Sequence, residues 1–226
     1  MKMLKKAAAV LLAAAMSLTM LTACGGGSGS TTQYKLAKVL AESQQTGKLY
    51  TDITAEIDGA IFNSALAGRK MKVDVKTAAN SKTGKTCTFV DLKQSGDSKY
   101  LYMTTGDGNT YEISENETDG AYWEKASDIA MLSVANEAVP SDAVFSKLQV
   151  KPEYEYNGQK YYAEVLTVDG AEVAYLFNGD TWVYTVITVN GITIAEKINE
   201  VSGKFPAKID SDLPFSYDEA MNFPIK

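Results

Sequence analysis

The chain contains no histidine. That removes Ser-His-Asp and Cys-His catalysis, His-containing zinc sites and imidazole-based pH sensing together. Cysteine is nearly as scarce, with Cys24 and Cys87 as the only two. A zinc site built from Cys alone is excluded by that count. Basic charge is in deficit: 22 Lys and Arg stand against 28 Asp and Glu, for a net charge of −6. Nucleic-acid binding rests on basic patches, so the balance argues against it. It argues equally against docking by charge on an anionic membrane. One apolar run is long, Ala7 to Ala23, and it is slightly short of the about 20 residues that a stable membrane helix needs.

That run has a different meaning in context. Lys2, Lys5 and Lys6 precede it, and it closes on the small residues before Cys24. Charge, apolar core and small-residue exit make the secretory pattern. Leu21-Thr22-Ala23-Cys24 is similar to a bacterial lipobox, whose Cys receives a diacylglycerol and becomes the first mature residue. The expectation is a signal peptide over residues 1–23, a lipidated Cys24, and a tether outside the cytoplasmic membrane. Two acyl chains make a stable anchor where one is marginal. Gly25 to Ser30 is a Gly/Ser linker, which behaves as flexible coil. Loss of residues 1–23 removes three Lys and no acid, so the net charge moves from −6 to −9. The lipid, rather than charge, would hold this protein at the surface. With Cys24 acylated, Cys87 has no intramolecular partner and is expected as a small buried hydrophobe in a strand. Residues 31–226 show no second linker and are taken as one domain.

The chain beyond the linker begins with a helix, Gln33 to Thr46. Thr31 and Thr32 can cap it, Leu36, Val39 and Leu40 recur at helical spacing, and Gly47 ends it. Six strands follow: Leu49–Asp58, Lys70–Thr77, Thr86–Lys93, Lys99–Thr105, Thr110–Ser114 and Ala121–Lys125. In the second, Met71, Val73 and Val75 alternate with charged residues, the signature of a half-buried strand. Then the period changes. Ser127 opens a helical run with Met131 and Leu132 that stops at Pro140, and Ser141 caps a shorter one with Leu148. Five more strands lie between Val150 and Val201. Asn157-Gly158, Asp169-Gly170, Asn178-Gly179 and Asn190-Gly191 separate them, dipeptides that meet the positive-φ demand of hairpin turns. In the run Asp180–Val189, simple alternation sets Trp182, Tyr184 and Val186 on one face. The tail from Phe205 has no periodicity and is expected to wrap the sheet as an extended strap.

Motifs for chemistry are weak. Gly84-Lys85-Thr86 lacks the Gly five residues earlier that a phosphate-binding loop requires, and no helix follows it. Glu115, Glu117 and Asp119 before Gly120 resemble the start of a calcium loop, but the twelfth position is Ala126. Asn116-Glu117-Thr118 is a glycosylation sequon without weight in a bacterial lipoprotein. A carboxylate pair for glycoside hydrolysis is nowhere marked. No enzyme activity, cofactor or metal is expected, and no protein partner is indicated. Tyrosines cluster, Tyr154, Tyr156, Tyr161 and Tyr162 near the first late hairpin and Tyr100, Tyr102, Tyr111 and Tyr122 in the early strands. They could line a greasy interior, stack on sugars, or simply pack across strands.

The order of capped helix, six strands, helical break and five-strand meander, behind a lipobox, resembles the LolA-like superfamily, including lipoproteins of the LppX and LprG type. It looks most like LolA-like lipoproteins of low-GC Gram-positive bacteria. The residues that carry this likeness are Leu21–Cys24, the helix around Leu36–Leu40, the Gly120-Ala121-Tyr122-Trp123-Glu124-Lys125 strand, and the hairpins after Val150. The resemblance implies an α+β, mainly antiparallel fold: a strongly curved sheet, or half-barrel, of about 11 strands with helices on its concave side. It also implies an extracytoplasmic carrier or sensor that holds a lipid or acylated molecule between sheet and helices. Residue type and position nominate Met71, Val73, Val75, Tyr102, Trp123, Met131, Leu132, Trp182 and Tyr184 as cavity residues. The alternative is a non-catalytic surface module that binds a protein, peptide or glycan through an exposed aromatic patch.

Overall fold

The structure is a computed structural model. It describes residues 33–58, 68, 70–92, 99–116, 120–126, 147–168, 170–189 and 192–226. The helical runs expected from Ser127 to Leu148 lie outside the described residues up to residue 146, as does the lipobox; Leu148 itself is not helical and stands just before the first strand of the second meander. Eleven strands form one antiparallel sheet. They are β1 (Lys48–Asp58), β2 (Lys70–Asn80), β3 (Lys85–Leu92), β4 (Lys99–Thr104), β5 (Thr110–Asn116) and β6 (Gly120–Lys125). After the break come β7 (Gln149–Tyr156), β8 (Gln159–Val168), β9 (Ala171–Asn178), β10 (Thr181–Val189) and β11 (Ile192–Ser202).

The spatial order is β6-β5-β4-β3-β2-β1-β11-β10-β9-β8-β7. The first meander runs outward from the centre to one edge. The second starts at the opposite edge and returns, so that β11 zips onto β1. The sheet is curved and open, a half-barrel with β6 and β7 as its edges. At the β6 edge, Trp123 donates its backbone N–H to Pro224 O at 2.8 Å and accepts from Lys226 N at 2.9 Å. The C-terminal residues therefore occupy an edge that would otherwise offer unpaired groups to another chain.

Turn chemistry accounts for the hairpins. Asn157 and Gly158 both have positive φ, 50° and 73°, the type I′ geometry that Asn-Gly favours. The β9–β10 turn differs from the expected one. Asn178 pairs with Thr181, so its two central residues are Gly179 and Asp180, with Gly in the positive-φ first place.

Side chains alternate along a strand, so the register divides them between two faces. One, the helix face, meets α1 (Lys35–Val39) and α2 (Ala41–Thr46). These are the expected single helix, bent at Leu40. Leu36, Ala37 and Leu40 pack there on Leu49, Tyr175, Phe177 and Trp182. The cap is not local. Glu164 of β8 accepts from Lys35 N at 2.6 Å and Leu36 N at 3.0 Å. These are amides at the helix start that have no partner within the helix. Gly203 lies so close to α2 that an added Cβ would fall 2.6 Å from Glu42 Cγ. Only glycine fits there, and its N–H reaches Glu42 Oε2 at 3.1 Å.

The opposite, tail face is covered over β1–β6 by residues 205–223. Ile209, Tyr217, Ala220 and Met221 pack on Tyr50, Ala78, Cys87, Phe89, Met103 and Trp123. The tail is more than a strap. Ser216 and Glu219 make a reciprocal capping box that opens the one-turn helix α3 (Tyr217–Ala220), which satisfies orphan amides at both ends of the box. Trp123 Nε1 donates to Ala220 O at 2.7 Å. Cys87 sits in this core as expected, and burial pushes its thiol up to about 12, which makes it inert.

Candidate functional site

The helix face is where the sequence pattern and the packing disagree most. Along β11, Ile194, Glu196 and Ile198 share that phase. Glu196 is directly opposite Thr185 of β10 and Ala55 of β1. The same cross-strand row continues through Val73 on one side and through Tyr175 to Glu164 on the other. Glu196 is 0% exposed. Neither of its carboxyl oxygens has a hydrogen-bond partner among the described residues. Its neighbours Ile53, Ala55, Val73, Val75 and Ile194 form one apolar cluster. Loss of hydration disfavours the charged form, and burial raises the Glu196 carboxyl to about 8. At neutral pH it is mostly the uncharged acid. Burial also raises the Tyr175 hydroxyl, and the nearby Glu196 adds to that shift.

A second polar row crosses the same face four residues away along β1, about 13 Å at strand rise. Thr51 is opposite Thr77, and Thr77 is opposite Thr88, with Tyr102 beyond. Ile53, Val75 and Val90 form the apolar band between the two rows. The hydroxyls of Thr51, Thr77 and Thr185, and that of Ser43 on α2, are buried and without partners among the described residues. Nearly all buried polar atoms of native proteins are paired, and each unpaired one costs about 1–3 kcal/mol. Six such oxygens, two of them on Glu196, have no partner among the described residues.

Charge is sorted between the faces. Lys72, Lys76, Lys85, Lys99, Lys151 and Lys197 all fall in the tail-face phase. Among the described strand lysines only Lys160, at the β7–β8 hairpin, shares a phase with Glu196, and it is paired with Glu153 at 2.8 Å. Lys35 of α1 is held by Asp180 at 3.2 Å. Among the described strand residues, the helix-face row of Glu196 therefore offers hydroxyl and carboxyl donors with no cation beside them.

The nominated residues divide in the structure. Val73 and Val75 are buried on the helix face, Trp182 packs there against Tyr175 at 5.7 Å, and Tyr102 is half-buried beside Thr88. Met71 belongs to β2, with its side chain outside the described set, as are Met131 and Leu132. Trp123 and Tyr184 lie on the tail face. Trp123 is locked under α3. Tyr184 meets Tyr156 at 5.4 Å and Tyr161 at 6.0 Å. The separation of Trp182 from Tyr184 has a local cause. A bulge lies between them: Phe177 faces Trp182, and the next residue, Leu176, faces Tyr184. The extra residue, Val183, reverses the alternation. Glu196, Glu164 and the threonine row were missed. Their signal is an acid or hydroxyl in the apolar phase of an alternating strand, as in Ile194-Ala195-Glu196-Lys197-Ile198.

No family model matches the chain, and no curated protein does either. Among solved structures, a conserved protein from Thermus thermophilus, described as uncharacterized, is similar at 9% identity and a TM-score of 0.38. That match covers 75% of this chain and 87% of the other. A domain from Vibrio parahaemolyticus, described as an outer membrane lipoprotein-sorting protein, is similar at 8% identity and a TM-score of 0.34. It covers 80% of this chain and 96% of that one. Likeness of this degree carries no functional argument, which rests on the chain's own residues.

Proposed function

We propose that this chain is a membrane-anchored, extracytoplasmic lipoprotein. It binds a hydrophobic ligand, a lipid or acylated molecule, between the curved sheet and its helices, as a carrier or sensor and without a catalytic step. The anchor rests on the lipobox at Leu21–Cys24 and the charged, apolar run before it. The ligand site rests above all on one observation: buried oxygens of Thr51, Thr77, Thr185 and Glu196 on this face have no partner among the described residues, beside the apolar cluster of Ile53, Val73, Val75 and Ile194. A bound amphiphile would both fill apolar space and pair those atoms, where an apolar core would have no use for them. The surface-module alternative needs a contiguous exposed patch. Among the described residues the exposed large hydrophobics are Tyr100, Val150 and Ile225, on three separate elements.

The two tryptophans lie on opposite faces, which gives a test. Dibromohexadecane, a heavy-atom quencher that acts at contact, is titrated into the intact chain carrying either W123F or W182F. The proposal expects saturable quenching of Trp182 in the first variant and unchanged emission of Trp123 in the second. Quenching of Trp123 alone, or of neither, would refute the helix-face site.

A further inference from the structure

The hydroxyls of Thr51, Thr77 and Thr185 and the carboxyl of Glu196 share the helix-face phase, and with the Ser43 hydroxyl of α2 they have no partners among the described residues. At neutral pH all five groups can donate an O–H, and none is a nitrogen donor. Their complement is an oxygen acceptor. No cation of the described strands shares the row of Glu196, so an anionic head such as a phosphate would stay buried without a counter-charge, which is costly. The charged side chains of α1 and α2 do not reach Glu196 either. Lys35 is engaged by Asp180, Lys38 is exposed, and Glu42 turns to Gly203. From β1, Asp52 and Glu56 lie in the opposite phase. The titratable groups of the row itself are Tyr175 on β9 and, beyond it, Glu164 on β8, whose oxygens are occupied by the α1 amides. Thr185 stands beside Glu196, and Val73, Val75, Ile53 and Val90 run away from the pair as a continuous apolar strip.

We propose that Glu196 and Thr185 are the polar anchor of the bound molecule, donating to an ester carbonyl of an uncharged acylglycerol whose chains lie along the Ile53–Val73–Val75–Val90 strip. This deepens the hydrophobic-ligand reading and rests on it. The anchor sets the ligand class, since a neutral donor pair donates to an uncharged ester oxygen and supplies no counter-charge to a buried anionic head group. It also fixes the depth at which the molecule sits.

The test uses the intact chain in detergent, in a W123F, W182F, L92W background, so that one tryptophan reports from the β3 end of the apolar strip, where Leu92 lies opposite Val73. Dioleoylglycerol brominated at its double bonds is compared with dibromohexadecane, which has no oxygen. Wild type at position 196, E196Q, E196L and T185V are titrated at pH 7 and pH 9. E196Q keeps a donor and is expected to bind the acylglycerol within about threefold of wild type. E196L is expected to bind it at least about tenfold more weakly, and T185V by a smaller factor. Raising the pH to 9 ionises Glu196 and is expected to weaken acylglycerol binding in the parent but not in E196Q. Dibromohexadecane is expected to bind all four equally, which also shows that the variants are folded. Undiminished acylglycerol binding by E196L would overturn the anchor while leaving the hydrophobic site intact. A ligand preference for brominated hexadecylamine that strengthens with pH would overturn the neutral-acceptor assignment. Absence of quenching by either probe in any variant would overturn the site and the anchor together.

Discussion

Two buried glutamates on the same face of the sheet invite comparison. Glu164 and Glu196 lie in one cross-strand row, separated by Tyr175 and Thr185, and both are 0% exposed. Glu164 accepts from two amides at the start of α1. Glu196 accepts from nothing among the described residues. The same side chain in the same setting thus does two jobs. The first pins the helix to the second meander across 128 residues of chain. The second has hydrogen-bonding capacity that no described residue uses. Burial by itself does not separate the two residues; a partner among the described residues, present for Glu164 and absent for Glu196, does.

That contrast can be broken by mutation. Glu164→Leu strips two buried amides of their acceptor. A loss of about 3 kcal/mol is expected, since each orphaned donor costs about 1–3 kcal/mol, measured by urea unfolding. The same change at Glu196 should act in reverse. E196L removes a partnerless carboxyl from an apolar cluster and is expected to raise the stability of the unliganded chain by about 1–3 kcal/mol. Equal destabilisation by the two variants would erase the distinction between them.

The pH dependence sharpens the comparison. Glu196 is raised from 4.5 to about 8 in the folded chain. Below pH 4.5 the group is protonated whether folded or unfolded and contributes nothing to the pH dependence. Between 4.5 and about 8 the unfolded chain gives up a proton that the folded chain keeps. Stability then falls by about 1.4 kcal/mol per pH unit from this group, and the loss is complete above about 8. E196Q has no such slope, so the stability difference between variant and wild type should widen over that window and stay flat outside it. A constant difference would mean that Glu196 is solvated or paired. Thr185→Val should give the smallest effect. Replacement of a partnerless hydroxyl by an isosteric methyl is expected to raise unfolding stability by about 1 kcal/mol, the low end of the cost of an unpaired buried polar atom.

Much of the fold was legible because its signals are local. Turn dipeptides and period-two runs located all eleven strands to within a few residues, and the Asn157-Gly158 turn adopted the geometry that its residues favour. What escaped was non-local or irregular. The helix cap was sought in Thr31 and Thr32, outside the described residues, while Glu164, far away in sequence, performs that function. Simple alternation put Trp182 and Tyr184 together, and the Val183 bulge sends them to opposite faces. The tail has no period, yet Ser216 and Glu219 already carried the capping-box spacing of α3. Of the nominated cavity residues, those chosen by alternation in a regular strand, Val73 and Val75, reached the helix face. Trp123, chosen as a large aromatic, became the centre of the tail core. The acids were overlooked because acids were assumed to be solvated. An acid in the apolar phase of a strand was the stronger signal.

The central claim is that the helix-face interior holds a hydrophobic molecule. Native mass spectrometry of the intact chain, released from detergent micelles after purification from a bacterial secretion host, addresses it most directly. The account predicts one non-covalent lipid per chain, lost on denaturation, while a covalent acyl mass on Cys24 remains. A native mass equal to the denatured mass, unchanged after incubation with host membrane lipids, would contradict it.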